Sequence, residues 1–141
     1  MKRTAKILAV IALVLCGFQI SNLNAKDKNS GAATGDESAT TLKILQGKWQ
    51  AVDDKSDFLV FENNHRKEKA GDMTEWDDEV FVLTDKPMRE GKPVSDHEAV
   101  KAGFIYCEKD DMCWAITELT AKKLVLVYMG RGRVLEYRRV K

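Results

Sequence analysis

The sequence predicts an all-β fold, a small up-and-down antiparallel β-barrel of about 7–8 strands with one short helix in its long loop. Three observations carry this. Lys123–Val140, "KLVLVYMGRGRVLEYRRV", alternates with period two on both sides of a Gly-Arg-Gly turn. Leu124, Leu126 and Tyr128 then share a face with Leu135, Tyr137 and Arg139, while Val125, Val127 and Met129 share the other with Val134, Glu136 and Arg138. One face is apolar and the other mixed, as an antiparallel sheet with one buried side requires. Second, Phe104–Trp114, "FIYCEKDDMCW", places two apolar runs around a polar turn. Third, the remaining strand-like runs are short and joined by turns, and closure into a barrel removes the edges such a sheet would expose.

In chain order, Lys2, Arg3 and Lys6 precede an apolar run, Ile7–Phe18, and a small residue, Ala25. This is the layout of a secretory signal peptide over residues 1–25. The run is shorter than the roughly 20 residues that cross a bilayer. The expectation is therefore a periplasmic or secreted protein with no integral membrane span after leader cleavage. The alternative is a lipoprotein anchored through Cys16, although Leu15 stands where such sites carry a small residue. Residues 26–40, "KDKNSGAATGDESAT", contain no aromatic or large aliphatic side chain, which predicts a flexible linker. Residues 41–141 are then one small domain with one core.

Within that domain, Thr41–Gln46 suits a single helical turn that Gly47 ends. Lys48–Val52, with Trp49 and Ala51 on one face, and Phe58–Glu62 read as strands around the turn "DDKSD". His65–Lys69 reads as a charged third strand, and Glu79–Thr84 as a strand with Phe81 and Leu83 on one face. Asp85–Gly103 is the one long connection and holds both prolines, Pro87 and Pro93. Its Ser95-Asp96-His97-Glu98 matches a capping box, which predicts a helix over Asp96–Ala102 closed by Gly103. Long loops of this kind act as lids or as plain crossovers. In the final hairpin, a two-residue loop at Arg131-Gly132 sets Tyr128 opposite Leu135. A loop at Gly130-Arg131 slides the pairing by two residues and keeps the same faces.

Cys107 and Cys113 are the only cysteines beyond the leader. Placed opposite each other across a hairpin, they share its outer face, and Phe104, Tyr106, Trp114 and Ile116 share the inner one. That sorting predicts a structural disulfide, contributing roughly 2.4 kcal/mol in the loop-entropy model. A zinc site wants closer ligand pairs plus two more ligands, and neither His65 nor His97 supplies that spacing. A redox couple would read Cys-x-x-Cys.

The full chain of 141 residues carries 23 basic and 22 acidic side chains, net +1; the leader holds three of the bases and no acid, which leaves the rest at −2. A nearly balanced surface gives no electrostatic reason to bind nucleic acid or anionic membrane.

Leu45-Gln46-Gly47-Lys48-Trp49 contains Gly-x-Trp after a short helical turn, and the chain ends "ITELTAKKLVLVYMGRGRVLEYRRVK". Over roughly residues 42–62 and 114–141 these segments resemble the lipocalin-like small β-barrel proteins of Bacteroidetes-type bacteria. The resemblance implies a calycin-type barrel. It implies structural roles for Gly47 and Trp49, with the Trp closing the barrel floor against a basic residue of the last strand, Arg139 or failing that Arg138. This domain is much shorter than a full lipocalin, so any cavity is small, and an eight-stranded interior holds side chains or one small ligand.

No catalytic constellation stands out: there is no Gly-x-Ser-x-Gly, no phosphate loop and no cysteine–histidine pair in register. "EWDDE", Glu75–Glu79, offers oxygen ligands to a divalent cation but lacks the glycine and spacing of a calcium loop, so a solvated turn is the simpler reading. "GRGR" around Arg131 and Arg133 reads as a charged hairpin tip. No cofactor and no metal are expected. The expected function is non-catalytic binding of a small apolar or amphipathic ligand by Phe81, Phe104, Tyr106, Trp114, Tyr128 and Tyr137 in the barrel, with Pro87–Ala102 as lid. The alternative is a protein-interaction or envelope-stress/inhibitor module. A filled interior with an exposed patch around Trp76 or the lid favours the module.

Overall fold

A computed structural model describes residues 35–141, all within one compact unit, Gly31–Lys141. The predicted leader, Cys16 and most of the predicted linker lie outside the described residues. One helix, α1 (Gly35–Leu45), precedes eleven strands. These are β1 (Gly47–Ala51), β2 (Phe58–Glu62), β3 (His65–Lys69), β4 (Asp77–Val80), β5 (Val82–Thr84), β6 (Met88–Arg89), β7 (Lys92–Pro93), β8 (Phe104–Cys107), β9 (Met112–Leu119), β10 (Lys123–Tyr128) and β11 (Arg133–Arg139). Asp36 and Glu37 in the first turn of α1 and Lys43 in the last suit the helix dipole. The helix begins inside the segment read as linker, so Gly35–Thr40 are helical. It docks through Leu45, which is fully buried in the core and supplies the apolar contact that 35–40 lack.

Nine strands form one antiparallel sheet in the order β4-β3-β2-β1-β11-β10-β9-β8-β5. Its two end strands are consecutive segments of one stretch of chain, broken at Phe81, so the sheet curls into a nearly closed barrel. The single strand expected over Glu79–Thr84 is thus two, and the count is nine rather than seven or eight. The reason is local. The first segment pairs with β3 (His65↔Val80) and the second with β8 (Val82↔Tyr106), while the Phe81 amide donates to the Asn64 carbonyl at 2.8 Å. α1 and the turns after β2 and β9 cluster at one end. The turns after β1, β8 and β10, and the loop before β4, cluster at the other.

Alternation sets the interior. Trp49, Leu59, Phe61, Phe81, Ile105, Trp114, Ile116, Leu124, Leu126 and Tyr137 are buried in one cluster that also contains Cys107 and Leu45. Phe61 meets Phe81 edge-on, with centroids 5.4 Å apart. The last hairpin takes the second of its two registers, Tyr128↔Arg133 and Leu126↔Leu135, and the Gly132 amide closes the turn onto the Tyr128 carbonyl at 2.8 Å.

Three further expectations fail. The cysteine hairpin pairs Cys107↔Met112, Tyr106↔Cys113, Ile105↔Trp114 and Phe104↔Ala115, one residue away from the expected register. A one-residue slip exchanges faces on one strand of a pair. Cys107 therefore points into the barrel and Cys113 outward, and both are free, buried thiols rather than a disulfide. By the same slip Phe104 and Tyr106 leave the interior and pack outside with Cys113 and Ala115, against Met88, Val100, Val127 and Met129. Finally, Asp96–Ala102 forms no helix. The Ser95 hydroxyl bonds the Asp96 carboxylate at 3.1 Å rather than the Glu98 amide, and Met88–Pro93 makes a small hairpin instead.

The long connection lies over the outer face of β8 and β9, not across a barrel mouth. The Gly91 amide donates to the Tyr106 hydroxyl at 3.0 Å, the Tyr106 hydroxyl to Asp111 at 2.9 Å, and the Glu90 amide to the same carboxylate at 2.6 Å. Aromatic outer positions thus acquire a cover of their own. Residues 26–141 alkylated with iodoacetamide in denaturant without reductant should gain two adducts by mass, and the folded protein none. A mass lower by two hydrogens, with no adduct, would contradict the free thiols.

Candidate functional site

The end of the barrel beside α1 is built around Trp49 and Arg139, which are register partners on β1 and β11. Trp49 is fully buried, and its Nε1 donates to the Leu45 carbonyl at 2.8 Å. The Arg139 guanidinium lies 4.1 Å over the Trp49 ring. It also donates to the carbonyls of Gln46 at 2.5 Å, Ala121 at 2.6 Å, and Ile44. Helix C-termini leave carbonyls unsatisfied and carry partial negative charge, so a cation there is doubly suited. Gly47 is required by the same contact: its φ is +111°, and a Cβ would stand 2.8 Å from Arg139 Nη1. Arg138 is not the partner; it alternates to the outer face.

Of the six side chains expected in the interior, Phe81, Trp114 and Tyr137 are there, Tyr128 is half-buried at its edge, and Phe104 and Tyr106 lie outside. Trp114 packs on Tyr128 with centroids 5.9 Å apart. Phe81, Trp114 and Tyr137 belong to the single buried cluster of the barrel interior. The charged residues Arg66 and Glu79, 2% and 3% exposed, share that interior. Arg66 stacks 4.3 Å over Trp114 and bonds Glu68 at 2.6 Å. Burial holds the Glu79 carboxyl above its ordinary range, and the nearby Asp110 carboxyl adds to this. Burial likewise pushes the Cys107 thiol up to about 12, with Glu79 beside it contributing, and raises Cys113. Neither thiol is a ready thiolate at neutral pH. The ion pair on period-two strand β3 joins a buried Arg66 to a Glu68 whose side chain is 36% exposed. Alternation alone places Arg66 and Glu68 inward, but the charged composition of "HRKEK" reads as a solvent-washed strand.

Comparison of the chain with models of protein families, with curated proteins and with solved structures finds no match. Site assignment therefore rests on geometry.

Two outer features remain. A groove of about 420 Å³ runs between α1, residues 100–102 and β9. Ile44, Val100, Ala102, Ile116 and Leu119 give it an apolar floor, and Asp36, Glu37, Glu118 and Lys101 a charged rim. Elsewhere, four of the five large apolar side chains exposed among the described residues fall within Met73–Val82: Met73, Trp76, Val80 and Val82. Val80 and Val82 stand two residues apart on the outer face, where alternation turns them away from Phe81. Of the two histidines, His65 pairs with Asp78 at 2.9 Å on the surface, and His97 lies in the exposed loop.

Arg139→Met should lower stability by about 2–4 kcal/mol, because helix carbonyls and the Trp49 face lose their partner together. Chemical denaturation measures this, and a change under about 0.5 kcal/mol, the ordinary surface value, would remove Arg139 from its central place. Tyr137 supplies a pH signature. Burial first, and the Glu68 charge second, push its phenol up to about 12 from 10.0. A folded-state pKa raised in this way leaves stability intact below pH 10 and erodes it as pH climbs toward the folded value. Tyr137→Phe should therefore lose less stability than the parent between pH 9 and pH 11.5, by up to roughly 2 kcal/mol, in paired urea melts.

Proposed function

We propose that this protein is a non-catalytic interaction module of the periplasm or secreted space, a filled lipocalin-like barrel that presents its outer surface to a protein partner. The observation that carries the reading is the pairing of an occupied interior with the exposed strip Met73–Val82. Apolar side chains clustered at the surface mark interaction sites more often than isolated ones do. Trp76, 40% exposed at the mouth opposite α1, is the natural anchor, since aromatic residues dominate interface energetics. Both thiols are raised above the neutral range, which supports a non-catalytic role for them. A barrel that encloses its own side chains also gives a rigid platform, which limits the ordering cost of binding.

A second reading has one observation in its favour. The α1–β9 groove has the volume and the apolar-floor, polar-rim character of small-molecule sites, and would take an amphipathic compound outside the barrel.

A photo-crosslinking residue at Trp76 in the native host should yield one discrete protein adduct, and the same probe at Glu118 in the groove rim should not. Native mass spectrometry of the protein purified from that host should show no retained small molecule. A stoichiometric amphipathic ligand, released by Ile44→Glu and unaffected by Trp76→Ala, would reverse the order of the two readings.

A further inference from the structure

We propose that Asp77, Glu79 and Asp110 form a binding site for a hard divalent cation of the calcium class at the mouth of the barrel away from α1. One carboxylate oxygen from each lies within 4.8 Å of the others. They come from the two sides of a seam. Asp77 and Glu79 alternate inward on β4, whose recorded pairing is with β3 alone, and Asp110 sits in the turn between β8 and β9. Above Phe81 the barrel is closed by β5–β8 hydrogen bonds; beside β4 the three carboxylates face one another where that ladder ends.

Mutual repulsion would drive such a cluster apart unless something else held it, and acidic clusters on surfaces are common without ions. Glu79 makes this one different. It is 3% exposed, one of its oxygens lies within 4.8 Å of an oxygen of Asp77 and of Asp110, and neither oxygen has a hydrogen-bond partner among the described residues. Burying a carboxylate without a partner costs several kcal/mol in effective terms. The obvious partner is turned away. Arg66 is the cross-strand neighbour of Glu79, yet its guanidinium is committed to Glu68 and to the Trp114 face. The Cys107 thiol adjoins Glu79 from inside, and Lys109 reaches Asp77 only at 3.9 Å. Asp111, next in sequence to Asp110, is consumed by the Tyr106 hydroxyl and the Glu90 amide, so the turn commits one aspartate to structure and sets the other beside Glu79.

A divalent ion here would neutralise most of three negative charges and join β4 to the β8–β9 turn, replacing the missing ladder with oxygen–metal bonds. Three carboxylates with water filling the remaining positions suit calcium, which takes 6–8 oxygens in flexible geometry, at the weak affinity of extracellular sites, about 10⁻⁴–10⁻³ M. The site shares the Met73–Val82 segment with the partner surface proposed above, but it rests on the inward carboxylates rather than on the exposed apolar side chains.

The test is calcium chloride titrated into residues 26–141 after EDTA treatment, read by isothermal calorimetry and by the thermal midpoint. One saturable site per chain is expected, with the midpoint rising as it fills. Asp110→Asn, an exposed turn substitution that leaves the core untouched, should weaken binding at least about tenfold. Glu79→Gln should abolish the calcium effect while leaving the metal-free midpoint equal or higher, since it removes the unpaired buried charge. No saturable binding up to about 10 mM, ten times the weak end of extracellular sites, would overturn the proposal. So would binding that survives both substitutions.

Discussion

The stacking of Arg139 on Trp49 is the constraint on which the rest of the architecture hangs. One guanidinium joins the last strand to the first, covers the indole that floors the barrel, and bonds carbonyls of α1 and of the turn after β9. Segments up to 95 residues apart in the chain meet at one side chain. The planar, five-donor fork of arginine makes this possible; a lysine would provide a point charge but neither the stack nor the spread of donors. Because β1 and β11 are neighbours only when the meander closes, the contact also fixes closure. Gly47 is its counterpart on the backbone, the place where absence of a side chain admits the guanidinium.

The hairpin from β8 to β9 shows how narrow the margin of such a barrel is. Both of its strands are apolar on both faces, with every residue of β8 buried. A half-buried strand betrays its orientation through its polar face; a fully buried one does not. Pairing the two cysteines is chemically attractive and off by a single residue. What tips the balance is the connection between β5 and β8. By folding back over the outside, it gives Phe104, Tyr106 and Cys113 an apolar cover, and its Gly91 amide joins Asp111 of the β8–β9 turn in satisfying the Tyr106 hydroxyl. The outer face no longer needs to be polar, and the inner face can take the smaller Ile105 and Cys107 beside Trp114.

The interior is not uniformly apolar either. Arg66 and Glu79 lie within it, one stacked on an indole and the other unpaired. Buried charges of this kind are costly unless they fix a register or hold a ligand. Trp114 and Glu68 account for most of the Arg66 guanidinium, although its Nε has no hydrogen-bond partner among the described residues. Glu79 has no such account inside the chain, and its neighbours at the mouth are acids. The packed aromatic interior and the charged mouth therefore have different roles. The first gives rigidity, and the second is where solution chemistry reaches the core.

Much of the scaffold was legible from residue order. Period-two alternation marked the inward faces of β1, β10 and β11, and the likeness around Gly47-Lys48-Trp49 pointed to Arg139, because these signals depend only on near neighbours along the chain and on one strong pairing. The composition also set the expectation of a nearly balanced surface, which offers no electrostatic reason to bind nucleic acid. Only the tertiary structure decided the register of the cysteine hairpin, the break at Phe81, the course of the long loop and the meeting of Asp77 and Glu79 with Asp110. Each of those depends on contacts between segments far apart in the chain, where a shift of one residue costs nothing locally and reverses what a side chain touches.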